Sequence, residues 1–337
     1  MVPMQLPHAL RWPSLVLPLL AVFLLAACNR TPPQPVLTAE DLVARADTKA
    51  DGKDYAGAIA DYNAAIALQP DYALAYYDLA VTQYEKNDFS GAIDSFSKAI
   101  AHDPQNPDAY LNRGVAKFEL QDYPAAIVDY NAALAINPDD TAAIYSRALA
   151  QRREGDFDAA FADYDHAIAL DPNYWRAYNG RATAHNAHGD FELAIPDYDM
   201  RIKLAPEGSE YAWFQRTLLL RRLGRPDEDA LKAQVLAWPE GWPKTVGLFL
   251  IDRIGPDELL RLAADTKDPQ AKNEQLCEAN YYVGITDLLA GRKDEAKAKF
   301  TACIATDVYQ FLESLLSHSE LARMQTPTAG TATAHGG

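Results

Sequence analysis

Positive charge is in short supply in this sequence. Its 337 residues carry 31 Lys and Arg against 47 Asp and Glu, a formal net charge of −16. That balance excludes nucleic acid as a partner, because holding a phosphate backbone takes clustered cations. It also excludes lying flat on anionic lipid, while a basic partner is compatible with it. Long apolar runs are scarce too. The one at residues 15–27 is too short for a comfortable membrane span. Catalytic signatures are missing: there is no GxSxG, HExxH, P-loop or dinucleotide fingerprint. His185 and His188 lie three apart on a predicted helix, but no Cys or third His is near, so they read as a polar helix end. In DTKADG (47–52), Lys49 replaces a calcium ligand and Ala58 stands where a bidentate Glu belongs, so the segment reads as a turn between helices. These absences predict a protein that is not an enzyme and uses neither cofactor nor metal.

What is present is a period. Pro70, Pro104, Pro138, Pro172 and Pro206 are spaced 34 residues apart. Each closes a similar segment: YNAAIALQP (62–70), FSKAIAHDP (96–104), YNAALAINP (130–138), YDHAIALDP (164–172). Each segment is preceded by a turn pairing Asp with an aromatic residue: DYAGA (54–58), DFSGA (88–92), DYPAA (122–126), DFDAA (156–160), DFELA (190–194). Ala58, Ala92, Ala126, Ala160 and Ala194 are small where two helices must approach closely. One turn later, Tyr62, Phe96, Tyr130, Tyr164 and Tyr198 fill the neighbouring hole. The Asp can cap the second helix of each unit, and the proline ends it.

This period and these residue types resemble the tetratricopeptide repeat (TPR) over about 39–208. The resemblance implies an all-α solenoid of antiparallel helix pairs in a right-handed superhelix, one elongated domain with a peptide-binding concave face. Within the repeats, Arg45, Arg113, Arg147 and Arg181 share a slot in the first helix, and Asp61, Asp129, Asp163 and Asp197 share one in the second. Repeat two has Leu79 and Ser95 there, so both charges vanish together. An antiparallel pair brings these slots side by side, which predicts half-buried ion pairs within each repeat. The concave slots hold Tyr77, Val81 and Tyr84, then Leu111, Val115 and Phe118, then Tyr145 and Leu149, with Arg152, Arg153 and Arg176 following. That stripe is a candidate peptide groove, apolar with a cationic end, suited to an amphipathic helix or an extended peptide with an acidic flank. The same side chains would equally serve packing between repeats.

After Pro206 the period blurs, and WPEGWP (238–243) interrupts the helical pattern. It returns at 277–306, where Gly284, Ala296 and Phe300 keep the small–small–aromatic spacing, and 308–324 reads as a capping helix. Cys277, opening the first helix of this unit, and Cys303, near the end of its second, are brought together by an antiparallel pair. They form either a disulfide in an oxidising envelope or two free thiols in a core. At the other end, Leu25-Ala26-Ala27-Cys28 follows the short apolar run and resembles the lipobox of bacterial lipoproteins. Cys28 is then the lipidated first residue after cleavage, and Asn29 behind it favours the outer membrane. The chain divides into a signal peptide (1–27), Cys28 with a Pro-rich tether (28–38), five repeats (39–208), a degenerate helical segment (209–276), a C-terminal repeat with its cap (277–324) and a disordered, low-complexity tail (325–337).

Lipobox, repeats and the unit over about 272–322 together resemble the NlpI-like family of bacterial lipoproteins. The resemblance implies an outer-membrane adaptor facing the periplasm, forming homodimers and docking murein hydrolases and a protease. The expected function is a lipid-anchored scaffold that binds peptide or helix segments of envelope proteins through its groove. The alternative is an assembly subunit of an envelope secretion or pilus machine.

Overall fold

The computed structural model describes residues 37–308 and 311–325. Among them are seventeen α-helices and no strand. Ten helices form five antiparallel pairs: α1 (Ala39–Asp51) with α2 (Tyr55–Leu68), α3 (Ala73–Glu85) with α4 (Phe89–His102), α5 (Pro107–Glu119) with α6 (Tyr123–Ile136), α7 (Thr141–Glu154) with α8 (Phe157–Leu170), and α9 (Trp175–His188) with α10 (Phe191–Leu204). First helices also touch first helices down the stack, which generates the solenoid. Every second helix stops two residues before its proline, as a residue lacking an N–H and locked in φ requires.

The five alanines and five aromatics of the repeat pattern are all buried. Asp54, Asp88, Asp122 and Asp156 each accept a hydrogen bond from the backbone N–H three residues on, at 3.0–3.2 Å. Asp190 departs from the series. It makes no capping bond; its carboxylate instead lies 2.8 Å from Nδ1 of His188 and 3.5 Å from that of His185. The His188 contact holds Asp190 below the usual carboxylate range.

All four expected ion pairs form, each bidentate. Nε and Nη2 of Arg45, Arg113, Arg147 and Arg181 meet both oxygens of Asp61, Asp129, Asp163 and Asp197 at 2.6–2.9 Å. In repeat two, Ser95 instead donates to Gln83 Oε1 at 2.7 Å. The structure adds a link between repeats. Nη1 of Arg113 donates to Ser97 at 3.1 Å and that of Arg147 to Asn131 at 2.6 Å, while Arg181 reaches Asp165. Each guanidinium thus ties its own second helix to the preceding one.

Beyond the fifth pair come α11 (Glu210–Arg222), α12 (Glu228–Ala237), α13 (Trp242–Leu250) and α14 (Pro256–Ala264), then the pair α15 (Pro269–Leu289) and α16 (Lys293–Ile304), and finally α17 (Leu312–Gln325). Cys277 does not open its helix. Asp268 caps Ala271 at 2.8 Å and Pro269 takes the first turn, so α15 starts earlier. The largest core cluster lies here, built on Phe214, Leu231, Leu250, Leu259, Tyr282 and Phe300. The final helix covers α15 and α16 and also returns to α9. Its Arg323 donates to the carbonyl of Ala187 at 2.9 Å, and Leu316 shares a core with Ala187.

Candidate functional site

The apolar stripe expected on the first helices is built as a row. Tyr77, Val81 and Tyr84 on α3, Leu111, Val115 and Phe118 on α5, and Tyr145 and Leu149 on α7 are all half-buried. Their spacing along each helix, three to four residues, keeps each set on one face. Between α3 and α5 the row opens into a cavity of about 170 Å³ lined by Tyr77, Val81, Tyr84, Phe96, Asn112 and Val115. Tyr77, Val81, Tyr84 and Val115 are therefore brought together in one cleft.

The others stand apart from that cavity. Phe118 packs on Tyr123, with ring centroids 5.1 Å apart. Tyr145 sits between Tyr164 and Tyr174, at 6.1 and 5.5 Å. Leu111 and Leu149 lean on the core of repeat four. Part of the stripe thus borders a cavity and part packs between repeats. The rings in the cleft have partners on its walls too: Tyr77 meets Phe96 edge-on at 5.6 Å, and Tyr84 lies 5.3 Å from Phe89. Such aromatic pairs fix the ring orientations.

The cleft floor carries polar groups as well. The Tyr77 hydroxyl accepts from Asn112 Nδ2 at 2.8 Å, and Tyr84 donates to Glu119 at 3.4 Å. Burial pushes both phenols above their ordinary pKa, so they are neutral hydrogen-bonding groups at physiological pH. An apolar slot with a few placed polar groups is the form taken by ligand-binding clefts. Asn112 and Glu119 are absent from the residues expected in the groove, and Phe96 is expected there only as packing between helices. Asn112 faces the cleft one position past the expected stripe, and Phe96 comes from a second helix.

The cationic end is less open than its sequence suggests. Arg152 is only 8% exposed, and its Nε and Nη1 are buried without a hydrogen-bond partner among the described residues. Arg153 is half-buried and Arg176 exposed. The Arg176 guanidinium lies over the Trp175 ring at 4.7 Å, and Arg201 lies over the same ring at 4.2 Å, a stacked arrangement favoured by the ring quadrupole. Cys277 and Cys303, both buried, bring their sulfurs to 2.7 Å as thiols. Contact with Cys277, then burial, pushes the Cys303 thiol up. Cys28 lies outside the described residues, and among those no helix is long and apolar enough to cross a membrane.

A family model for the tetratricopeptide repeat matches residues 43–107, 78–141 and 145–209. The chain is similar to a tetratricopeptide repeat protein from Parabacteroides merdae ATCC 43184, at 17% identity over 84% of this chain and 98% of that one, with a TM-score of 0.56. It is similar to PilW, a widely conserved type IV pilus biogenesis factor, at 19% identity over 59% of this chain and 94% of that one, with a TM-score of 0.52. YrrB, a TPR protein with an unusual peptide-binding site, is 23% identical over 52% of this chain and 91% of that one, with a TM-score of 0.46. The helix pairs, their period and the likenesses to the Parabacteroides protein and to PilW agree on one architecture.

Proposed function

We propose that this TPR solenoid is a non-catalytic adaptor that captures envelope proteins by seating an extended or helical segment in the cleft between α3 and α5. The observation that carries the reading is the cavity on the first-helix row, walled by Tyr77, Val81, Tyr84 and Val115 and floored by Asn112. Peptide side chains of aliphatic size fit such a slot, and the flanking hydroxyls and amide orient the backbone.

In this reading Cys28 carries the lipid and the tether over 28–38 holds the array off the outer membrane. The sequence features at 25–28 support that placement. Several acyl chains on one cysteine give lasting attachment, at about 0.8 kcal/mol per buried methylene. Murein hydrolases and a periplasmic protease are the partners suggested by the resemblance of the C-terminal unit to NlpI-like lipoproteins, which also suggests a homodimer.

A photocrosslinking residue tests the reading, placed at Val81 in the cleft or at Val128, which is 65% exposed on the second-helix side. Envelope-protein adducts from position 81 alone are expected. Adducts from position 128 alone would replace the groove with the other candidate, an assembly subunit of a secretion or pilus machine that uses its outer face.

A further inference from the structure

Away from the repeats, the C-terminal helices line a second cavity, open to solvent, of about 480 Å³. Its walls include Tyr211 of α11, Trp242 and Pro243 of α13, Glu278 of α15, and Phe311 and Glu313 beside and on α17. Glu278 and Glu313 are 4% and 2% exposed, and neither has an ion pair among the described residues. Among the described residues no Lys, Arg or His lines the cavity. Two carboxylates buried without a cation are costly. Stabilising a fold does not require them, since neutral side chains of the same size would fill the space.

The hydrogen bonds are arranged on one side only. Tyr211 and Trp242 Nε1 both donate to Oε2 of Glu278, each at 2.8 Å. Its Oε1 takes no donor among the described residues, although the side chain borders the cavity. Glu313 Oε1 accepts from Tyr282 at 2.9 Å. The carboxylate is thus held in place by donors behind it and presents a bare oxygen to a space walled by indole, phenol and phenyl rings. Glu274 stands beside it and, with Phe311, also borders an adjoining cavity of about 390 Å³ that runs along Pro269, Gln270 and Asn273.

We propose that this cavity is a second binding site, separate from the cleft of the repeats, that takes the guanidinium of an arginine side chain from a partner polypeptide. A guanidinium is flat, weakly hydrated and rich in donors, so it stacks on aromatic walls while bonding to carboxylate oxygens. An ammonium ion keeps a tighter water shell and gains less from such walls. The adjoining cavity gives the partner's main chain a path, and the chain's charge of −16 favours a basic partner.

The site carries its own signature. Burial, then the charge of Glu313, pushes the Glu278 carboxyl up, and burial pushes Glu313 up as well. The groups that face it are Tyr211 and Glu313 from the neighbouring helices and Cys277, Glu274 and Tyr282 from its own, none of them basic. The Glu278–Glu313 pair therefore keeps a proton to higher pH than exposed carboxylates do, and an arriving cation favours its release.

Isothermal titration of the full chain with N-acetyl-arginine amide, at pH 7 in two buffers of different ionisation heat, measures affinity and proton release together. Saturable binding accompanied by proton release is expected. N-acetyl-lysine amide is expected to bind more weakly. Affinity is expected to fall by about tenfold or more in Glu278→Gln, because a charged partner is lost while the acceptor for Tyr211 and Trp242 is kept. Trp242→Phe, which removes one supporting donor and keeps a ring, is expected to weaken binding by a smaller factor. Tyr84→Ala is expected to leave it unchanged, so a failure here and a failure of the cleft reading are separable. No saturable binding, lysine binding as well as arginine, or full affinity in Glu278→Gln would each overturn the assignment.

Discussion

One guanidinium serves two carboxylates of very different worth. Arg181 contacts Asp197, whose side chain is 6% exposed, and Asp165, at 62%. Losing the first removes a buried bidentate acceptor and leaves the half-buried Arg181 with one exposed partner, whereas the second is screened by water. Asp197→Asn is therefore expected to cost about 2–3 kcal/mol in denaturant unfolding and Asp165→Asn less than about 0.5 kcal/mol. A pH dependence follows from the same pairs. Arg45 holds Asp61 down to about 2, below its unfolded value. Its stabilisation is thus complete above the ordinary carboxylate range and is lost as pH falls from about 4 to about 2. Asp61→Asn is expected to flatten that acid limb in unfolding curves. The pairs were legible in the sequence because both members recur together and vanish together, at Leu79 and Ser95. The inter-repeat links to Ser97, Asn131 and Asp165 were not, because three different residue types fill that slot. Nor was the burial of Arg152, since a charged side chain gives no sign of how far its neighbours close over it.

The turn between paired helices recurs at the scale of the element. Lys53, Asn87 and Gln121 adopt left-handed backbone with φ of 61°, 63° and 62°, and Gly155 and Gly189 occupy the same position in later repeats. A side chain there is strained, whereas glycine is not. Gln121→Gly is expected to stabilise by about 0.5–1 kcal/mol and Gly155→Ala to destabilise by about 1 kcal/mol, read as shifts in denaturation midpoint. The five pairs were readable element by element because proline, capping Asp and buried aromatic all recur. The turns hid their conformation behind Lys, Asn and Gln. The start of α15 was misplaced because the Asp268-Pro269 start signal lies outside the repeat pattern. Within this last pair the two cysteines are placed to bond under oxidising conditions. If they do, non-reducing mass spectrometry will find Cys277 and Cys303 linked, and reduction will lower stability by about 3 kcal/mol.

At the scale of the whole molecule the chain is two regions with different rules. The repeats bury small residues against aromatics in short-range pairs, so a sequence period specifies them. The C-terminal region joins α11, α13, α15 and α17 through separations of dozens of residues, as from Tyr211 to Glu278. No local pattern encodes such contacts, and the return of α17 to α9 was accordingly invisible in sequence. That return ties the end of the array to its last regular repeat. Its loss, by Arg323→Ala, is expected to speed hydrogen exchange in α9 and α17 while leaving α3 to α6 unchanged. The cleft between α3 and α5 lies in the second and third repeats, well along the row from this closure. The most direct test of the account is quantitative capture from native envelopes, comparing wild type with Tyr84→Ala and with Val115→Phe, which fills the cavity. Matched helicity with capture of envelope partners reduced about tenfold or more by both variants is the predicted result. Undiminished capture by two well-folded variants would contradict it and return the cleft to core packing.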